Sequence, residues 1–184
     1  MSTIQTTNLK HESSGSNNIV LDSSGNIAVQ AGTVSAPAIQ ATGDSNTGIY
    51  FPAADTIAFT EGGSEAVRID SSGNLRFNSG YGSVATAYGC RAWVNFDGTG
   101  TVAIRASGNV GSITDQGTGD YAVNITTAMP DANYATVATC ANTSGNPEFL
   151  QVFNSQTTNG VRIIIKYPGI TNYDSALVAV AIFR

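Results

Sequence analysis

Apolar residues along this chain come in short alternating runs, each broken by Gly, Ser, Asn or Asp. Alternation with period two sends successive side chains to opposite faces of an extended strand, and no stretch carries the three-to-four spacing of an amphipathic helix. From Asn17 the run Ile19-Val20-Leu21-Asp22-Ser23-Ser24-Gly25-Asn26-Ile27-Ala28-Val29 reads as strand, turn, strand. It returns as Val67-Arg68-Ile69-Asp70-Ser71-Ser72-Gly73-Asn74-Leu75-Arg76-Phe77, and more weakly as Val102-Ala103-Ile104-Arg105-Ala106-Ser107-Gly108-Asn109-Val110. Asp22 or Asp70 can accept the backbone N–H two residues on, and the serines suit a type I turn. Glycine then supplies the left-handed residue that returns the chain as a bulged hairpin. In the third copy Arg105 replaces Asp, and the match reads as an ordinary hairpin.

Between the first two copies the expected strands are short: Gly48 to Phe51, Thr56 to Thr60 and Glu65 to Ile69. Strands with one or two large apolar residues each bury too little surface to offset the ordering of their backbone. Their well-formed turns therefore argue that other chains complete the core. Beyond Ser83 the expected strands lengthen: Arg91 to Asp97, Thr101 to Arg105, Tyr121 to Thr126, Tyr134 to Cys140, Phe149 to Phe153, Val161 to Lys166 and Ala176 to Phe183. About seven strands over roughly a hundred residues fits a compact antiparallel sandwich or barrel. Trp93, inside one of them, is assigned to the core. The last strand is apolar on both faces, which suits one face against the core and the other against an identical neighbour. The expected organisation is an attachment arm at 1–16, a hairpin region completed by other chains at 17–82, and a β-sandwich at 83–184.

Composition narrows the chemistry. Hydrophobic residues are 41% of the chain but charged residues only 11%, with a net charge of −5. The eight cations are scattered, so no basic stripe is present to neutralise phosphates, and neither nucleic-acid binding nor docking on an anionic membrane is expected. Met1 to Asn18 has no apolar stretch of the secretory kind, and Ala176 to Phe183 is too short to span a bilayer as a helix, so membrane insertion is not expected. Cys90 and Cys140 are expected as reduced, partly buried thiols.

Catalysis is not expected. The single histidine, His11, lies in the polar arm, which removes Ser-His-Asp and Cys-His arrangements. No His/Cys cluster has metal-ligand spacing. Gly98-Thr99-Gly100-Thr101-Val102-Ala103 and Gly117-Thr118-Gly119-Asp120-Tyr121-Ala122 spell a dinucleotide fingerprint, but strand-forming residues follow where a helix is needed, so both read as turns and no cofactor is expected. Asp44-Ser45-Asn46-Thr47-Gly48 alternates oxygen ligands faintly like a calcium loop, without its distal Glu, and reads as a glycine turn. For binding, the most suggestive segment is Tyr167 to Asp174. There Tyr167, Asn172, Tyr173 and Asp174 could stack on and hydrogen-bond a sugar, or the tyrosines could plug one end of the sandwich. Ala141 to Glu148 is a second candidate loop.

Two stretches carry a resemblance. Asp44-Ser45-Asn46-Thr47-Gly48-Ile49-Tyr50-Phe51-Pro52-Ala53-Ala54-Asp55-Thr56-Ile57-Ala58-Phe59, followed by Glu65 to Asn74, resembles the shaft modules of bacteriophage tail fibres, particularly those of phages infecting cyanobacteria and other aquatic bacteria. Ala92-Trp93-Val94-Asn95-Phe96-Asp97-Gly98-Thr99-Gly100, with Gly119 to Asn124 and Met129 to Tyr134, resembles the C-terminal module of many such fibres. The resemblance implies an all-β homotrimer: an N-terminus on a tail or baseplate protein, a slender intertwined β shaft, and a C-terminal sandwich at the tip. That tip would contact host-surface polysaccharide or lipopolysaccharide. It also implies a virion protein assembled in the host cytoplasm and released by lysis. The alternatives are a purely structural tail component whose C-terminal domain drives trimerisation, and a glycan depolymerase.

Overall fold

A computed structural model describes residues 6–141, 149–152, 155–166 and 171–184. Among these the chain is all-β, without a helix, and divides into two compact units, Met1–Ala87 and Tyr88–Arg184.

In the N-terminal unit, β1 (Asn8–Leu9), β2 (Ile19–Leu21) and β3 (Ile27–Val29) form a three-stranded antiparallel sheet, so part of the expected arm folds back as a strand. A two-stranded ribbon follows, β4 (Gly32–Thr33) and β5 (Ala36–Pro37). Then come six strands in simple meander order: β6 (Ile39–Ala41), β7 (Asp44–Tyr50), β8 (Ile57–Glu61), β9 (Ser64–Ile69), β10 (Leu75–Phe77) and β11 (Ala85–Thr86). The segment read as a glycine turn at Asp44 to Gly48 is instead the first part of β7, and the turn lies just before it at Gly43 (φ 87°). Gly48 is required there because a Cβ would sit 2.0 Å from the Ile39 carbonyl oxygen.

Both Asp-Ser-Ser-Gly-Asn hairpins form as expected, and they match bond for bond. The Asp22 carboxylate accepts the N–H groups of Ser24 (2.9 Å) and Asn26 (2.8 Å), and Asp70 accepts those of Ser72 (3.1 Å) and Asn74 (3.0 Å). Gly25 (φ 84°) and Gly73 (φ 78°) take the left-handed position that bulges the return strand. The side-chain amide of Asn26 and then its backbone N–H hold Asp22 below the usual range, and the backbone N–H of Asn74 first does the same for Asp70, because each bond favours the ionised carboxylate.

The six-stranded sheet has unlike faces. Cross-strand partners on one face run Ile39–Ile49–Phe59–Val67–Phe77, with Ile57–Ile69–Leu75 as the next row. Phe59 is 42% exposed and Phe77 41%. The opposite face carries the row Tyr50–Ala58–Arg68–Arg76. There the Tyr50 hydroxyl donates to Glu65 at 2.5 Å, and Arg68 grips the same carboxylate with two N–H groups. Arg68 holds the Glu65 carboxyl below its ordinary value, while burial and then the Glu65 carboxylate push Tyr50 up to about 12. Thr60 donates to the Val34 carbonyl at 2.6 Å, and the buried Pro37 of β5 lies at this face.

Among the described residues the C-terminal unit has eight strands: β12 (Cys90–Asp97), β13 (Ala103–Gly108), β14 (Val110–Gly117), β15 (Asp120–Ile125), β16 (Ala135–Ala141), β17 (Phe149–Val152), β18 (Gly160–Lys166) and β19 (Leu177–Phe183). They make two antiparallel sheets, ordered β13-β12-β19-β16 and β14-β15-β18-β17, over one core. Val94, Phe96, Val178 and Ile182 from the first sheet meet Tyr121, Val123, Ile163 and Ile165 from the second, all essentially sealed from solvent. Phe96 packs edge-on to Tyr121, with ring centroids 5.2 Å apart at 73°.

Three expectations are corrected here. β14 is a strand that apolar alternation does not reveal, because its inward residues are only Val110 and Ile113, spaced among Gly, Ser, Thr, Asp and Gln. Cys90 is exposed rather than partly buried, while Cys140 is half-buried against the core, and the two are not joined by a disulfide. The third hairpin copy is not a hairpin, since β13 and β14 belong to different sheets and Ser107-Gly108-Asn109 is the corner between them. Asn109 takes a left-handed φ of 56°, and its side chain bridges the corner. Its amide N–H groups donate to the carbonyls of Arg91 and Thr127 (both 3.1 Å), and its oxygen accepts the Thr127 N–H at 2.7 Å. The true hairpin turn is Asp97-Gly98-Thr99-Gly100, where Asp97 accepts the Thr99 N–H at 2.9 Å and Arg105 pairs with the same Asp97 at 2.7 Å.

Two variants separate the roles of Asn109. Asn109→Ala loses both the left-handed tolerance and three hydrogen bonds and is expected to cost about 2 kcal/mol or more in urea unfolding. Asn109→Gly restores the backbone alone and should recover only part of that loss.

Candidate binding loop and sheet faces

Of the loop residues singled out in the sequence, Tyr167 lies outside the described residues. So does Asn142 to Glu148, nearly all of the second candidate loop. The described end of the first loop is bound into the fold. Asn172 forms an antiparallel bridge with Lys166, and the Tyr173 N–H donates to the Ile165 carbonyl at 3.0 Å. Both side chains are half-buried.

Asp174 is the centre of this end of the core. One carboxylate oxygen, Oδ1, lies 2.7 Å from the Tyr121 hydroxyl and accepts the Gly119 N–H at 2.6 Å. The Tyr121 hydroxyl also lies 2.9 Å from the Gly98 carbonyl oxygen, and the Gly98 N–H donates to the Ser175 carbonyl at 2.9 Å. Ser175, fully buried, donates its hydroxyl toward the carbonyls of Ala141 and Leu177. The arrangement tolerates no added methyl groups. A Cβ on Gly98 would stand 2.6 Å from the Tyr121 oxygen, and one on Gly119 2.6 Å from the backbone of both Ile165 and Tyr173. A tyrosine therefore does close this end of the core, but it is Tyr121 from β15. The carboxylate at Asp174 holds that tyrosine. Burial first, and then the hydrogen bond to Asp174, push the Tyr121 hydroxyl far above its ordinary value.

A second unassigned surface is the outer face of the sheet β13-β12-β19-β16. Trp93 is 44% exposed, a correction to its assignment to the core. Ala92, Val94 and Phe96 take the inward positions of β12, so Trp93 must point out. It lies against Gly108, where a Cβ would stand 2.4 Å from the indole nitrogen. Across the sheet it aligns with Ala181 and then Val137, itself 57% exposed. These residues wall an apolar trough of about 340 Å³ with Ala179 and Ala181 in its floor. The alternation of Val178, Val180 and Ile182 inward with Leu177, Ala179, Ala181 and Phe183 outward gives this face its apolar character.

Asp174→Ala is expected to destabilise the chain by about 1–3 kcal/mol, since it strands the buried Tyr121 hydroxyl and the Gly119 N–H. In that background Tyr121→Phe should cost much less than in the wild type, as a double-mutant cycle would read. The raised Tyr121 value also has a pH consequence. Above the unfolded-state value of 10 the unfolded chain ionises and the folded chain does not, so stability present below pH 10 is lost as pH rises further. Tyr121→Phe should flatten that alkaline decline in melting temperature without abolishing it, because Tyr50 is raised too.

Compared with protein-family models, curated proteins and solved structures, the chain matches none.

Proposed function

We propose that this chain is the subunit of a homotrimeric bacteriophage tail fibre that attaches to host-surface glycan through its C-terminal unit. Residues 1–16 would engage a tail or baseplate protein, residues 17–82 would form a shaft shared by three chains, and residues 83–184 would form the tip. The virion would be its place of action, after assembly in the host cytoplasm.

One observation carries the reading. The six-stranded sheet has its polar network on the covered face and its aliphatic and aromatic rows on the open one. Five strands put the row from Ile39 to Phe77 about 19 Å across at ordinary strand spacing. A patch of that kind is worth about 25 cal/mol for each Å² removed from water, and soluble monomers rarely leave such a surface open. Further copies of the same chain supply matching cover, because each carries the same rows. The outer face around Trp93, Val137 and Ala181 asks for cover in the same way. The number three and the attachment role rest on the resemblance of Asp44 to Phe59, Glu65 to Asn74 and Ala92 to Gly100 to fibre modules.

A second reading, a purely structural tail component, is favoured by the commitment of Asp174 Oδ1 to Tyr121 and Gly119, which gives that residue a role inside the fold.

Light scattering on the intact chain should give three times its 18.9 kDa. A folded monomer or a dimer would overturn the trimer. Phe59→Asp with Phe77→Asp should abolish the trimer, and a trimer of unchanged stability in that variant would show that this face is not shared. Pre-incubating susceptible cells with the protein should block phage adsorption under the attachment reading and leave it unchanged under the structural one.

A further inference from the structure

The two outer faces of the C-terminal unit are chemically opposite. Where the sheet bearing Trp93 is apolar around that residue, the outer face around Ala122 and Gly160 in the sheet β14-β15-β18-β17 presents hydroxyls, amides and one ion pair. Its inward positions, Tyr121, Val123 and Ile125 on β15 with Val161, Ile163 and Ile165 on β18, are taken by the core. Register then forces the outward rows. Thr114, Ala122 and Arg162 align across three strands, and Ser112, Asn124 and Gly160 form the next row.

Small residues at Ala122 and Gly160 leave a trough of about 360 Å³ between taller neighbours. Gly160 cannot be larger, since a Cβ would stand 2.3 Å from the Val123 carbonyl oxygen. The rim comprises Gln116, Asn124, Ser155, Thr157, Asn159 and Arg162. Two of these are held in place. Arg162 donates Nε to Asp120 Oδ1 at 2.7 Å and a second N–H to the other carboxylate oxygen. Asn124 donates its amide N–H groups toward Ser112 (3.1 Å) and Thr114 (2.9 Å), which anchors the side chain to β14. Asp120 is buried beneath its partner, and Arg162 holds its carboxyl below the ordinary value. The pair therefore contributes no net charge to the site.

We infer that this trough is a binding site for a neutral, hydroxyl-rich saccharide. Side-chain amides each offer an acceptor and two donors, which complements the donor–acceptor character of neighbouring sugar hydroxyls. The volume falls within the roughly 300–1,000 Å³ of small-molecule sites, and the fixed Arg162 and Asn124 lower the ordering cost of binding. Net neutrality of the Asp120–Arg162 pair sets the preference for an uncharged ligand. The inference rests on the attachment reading above, but it places the glycan on the β14-β15-β18 face rather than at Tyr167 to Asp174.

The test applies the full chain to an array of immobilised neutral bacterial polysaccharides, with uronic-acid-containing polysaccharides alongside. Two variants leave the fold's hydrogen bonds in place: Gln116→Ala with Asn159→Ala, which strips the rim, and Ala122→Phe, which fills the floor. The wild type should retain at least one neutral polysaccharide. Both variants should lose at least tenfold in apparent affinity, with mass and melting temperature unchanged. Undiminished binding by both variants would overturn the site while leaving glycan attachment standing. Retention of uronic-acid polysaccharides alone would overturn the neutral class. Failure of the wild type to retain any polysaccharide would overturn the site together with the attachment role, while the trimer is judged separately by mass.

Discussion

A β-strand shows its side chains alternately on two faces, so every sheet must find cover twice or place one face in water. The C-terminal unit meets this requirement once, by laying two sheets over a shared core of Phe96, Tyr121, Ile163 and Ile182. The N-terminal six-stranded sheet meets it the other way round. Its covered face is polar, organised by Glu65 between Tyr50 and Arg68, and its open face is a field of Ile, Leu, Val and Phe. Hydrophobic burial is the dominant favourable term in folding, so a sheet arranged like this has its main stabilising surface still to be covered. The proposed assembly follows from that inversion.

Strand alternation also divides the C-terminal surfaces. Alternation sends Trp93, Val137, Leu177 and Ala181 outward from one sheet, and Ser112, Thr114, Asn124 and Arg162 outward from the other. One face is suited to contact with protein and the other to contact with water and polar ligands. In a trimer the two properties are compatible, because an apolar face can turn inward while the polar trough stays accessible.

Polar groups inside this fold act as fasteners. Asp174 holds Tyr121 and the Gly119 turn, Asn109 ties a sheet-to-sheet corner, and Ser175 reaches two carbonyls. Each satisfies backbone groups that would otherwise be buried without partners. A residue type that suits sugar recognition, such as Asp174, serves here as a fastener. Its partner Tyr121 lies 53 residues away in the chain.

What the sequence determined alone was everything local. The two Asp-Ser-Ser-Gly-Asn turns form because one carboxylate bonds to backbone within four residues, and the all-β character follows from period-two alternation. The long strands Cys90–Asp97, Gly160–Lys166 and Leu177–Phe183 were legible for the same reason. Tertiary structure decided what depends on which sheet a strand joins. Ser107-Gly108-Asn109 has good hairpin chemistry, yet becomes a crossover because β14 finds its partner in β15. Val110–Gly117 was invisible because its polar outward residues outnumber its two inward ones. Trp93 suits a core by residue type alone, but the burial of Ala92, Val94 and Phe96 sets the parity of its strand and turns it outward. Turn chemistry is settled by atoms a few bonds apart. Faces, partners and sites are settled by contacts between residues far apart in the chain, which no local pattern records.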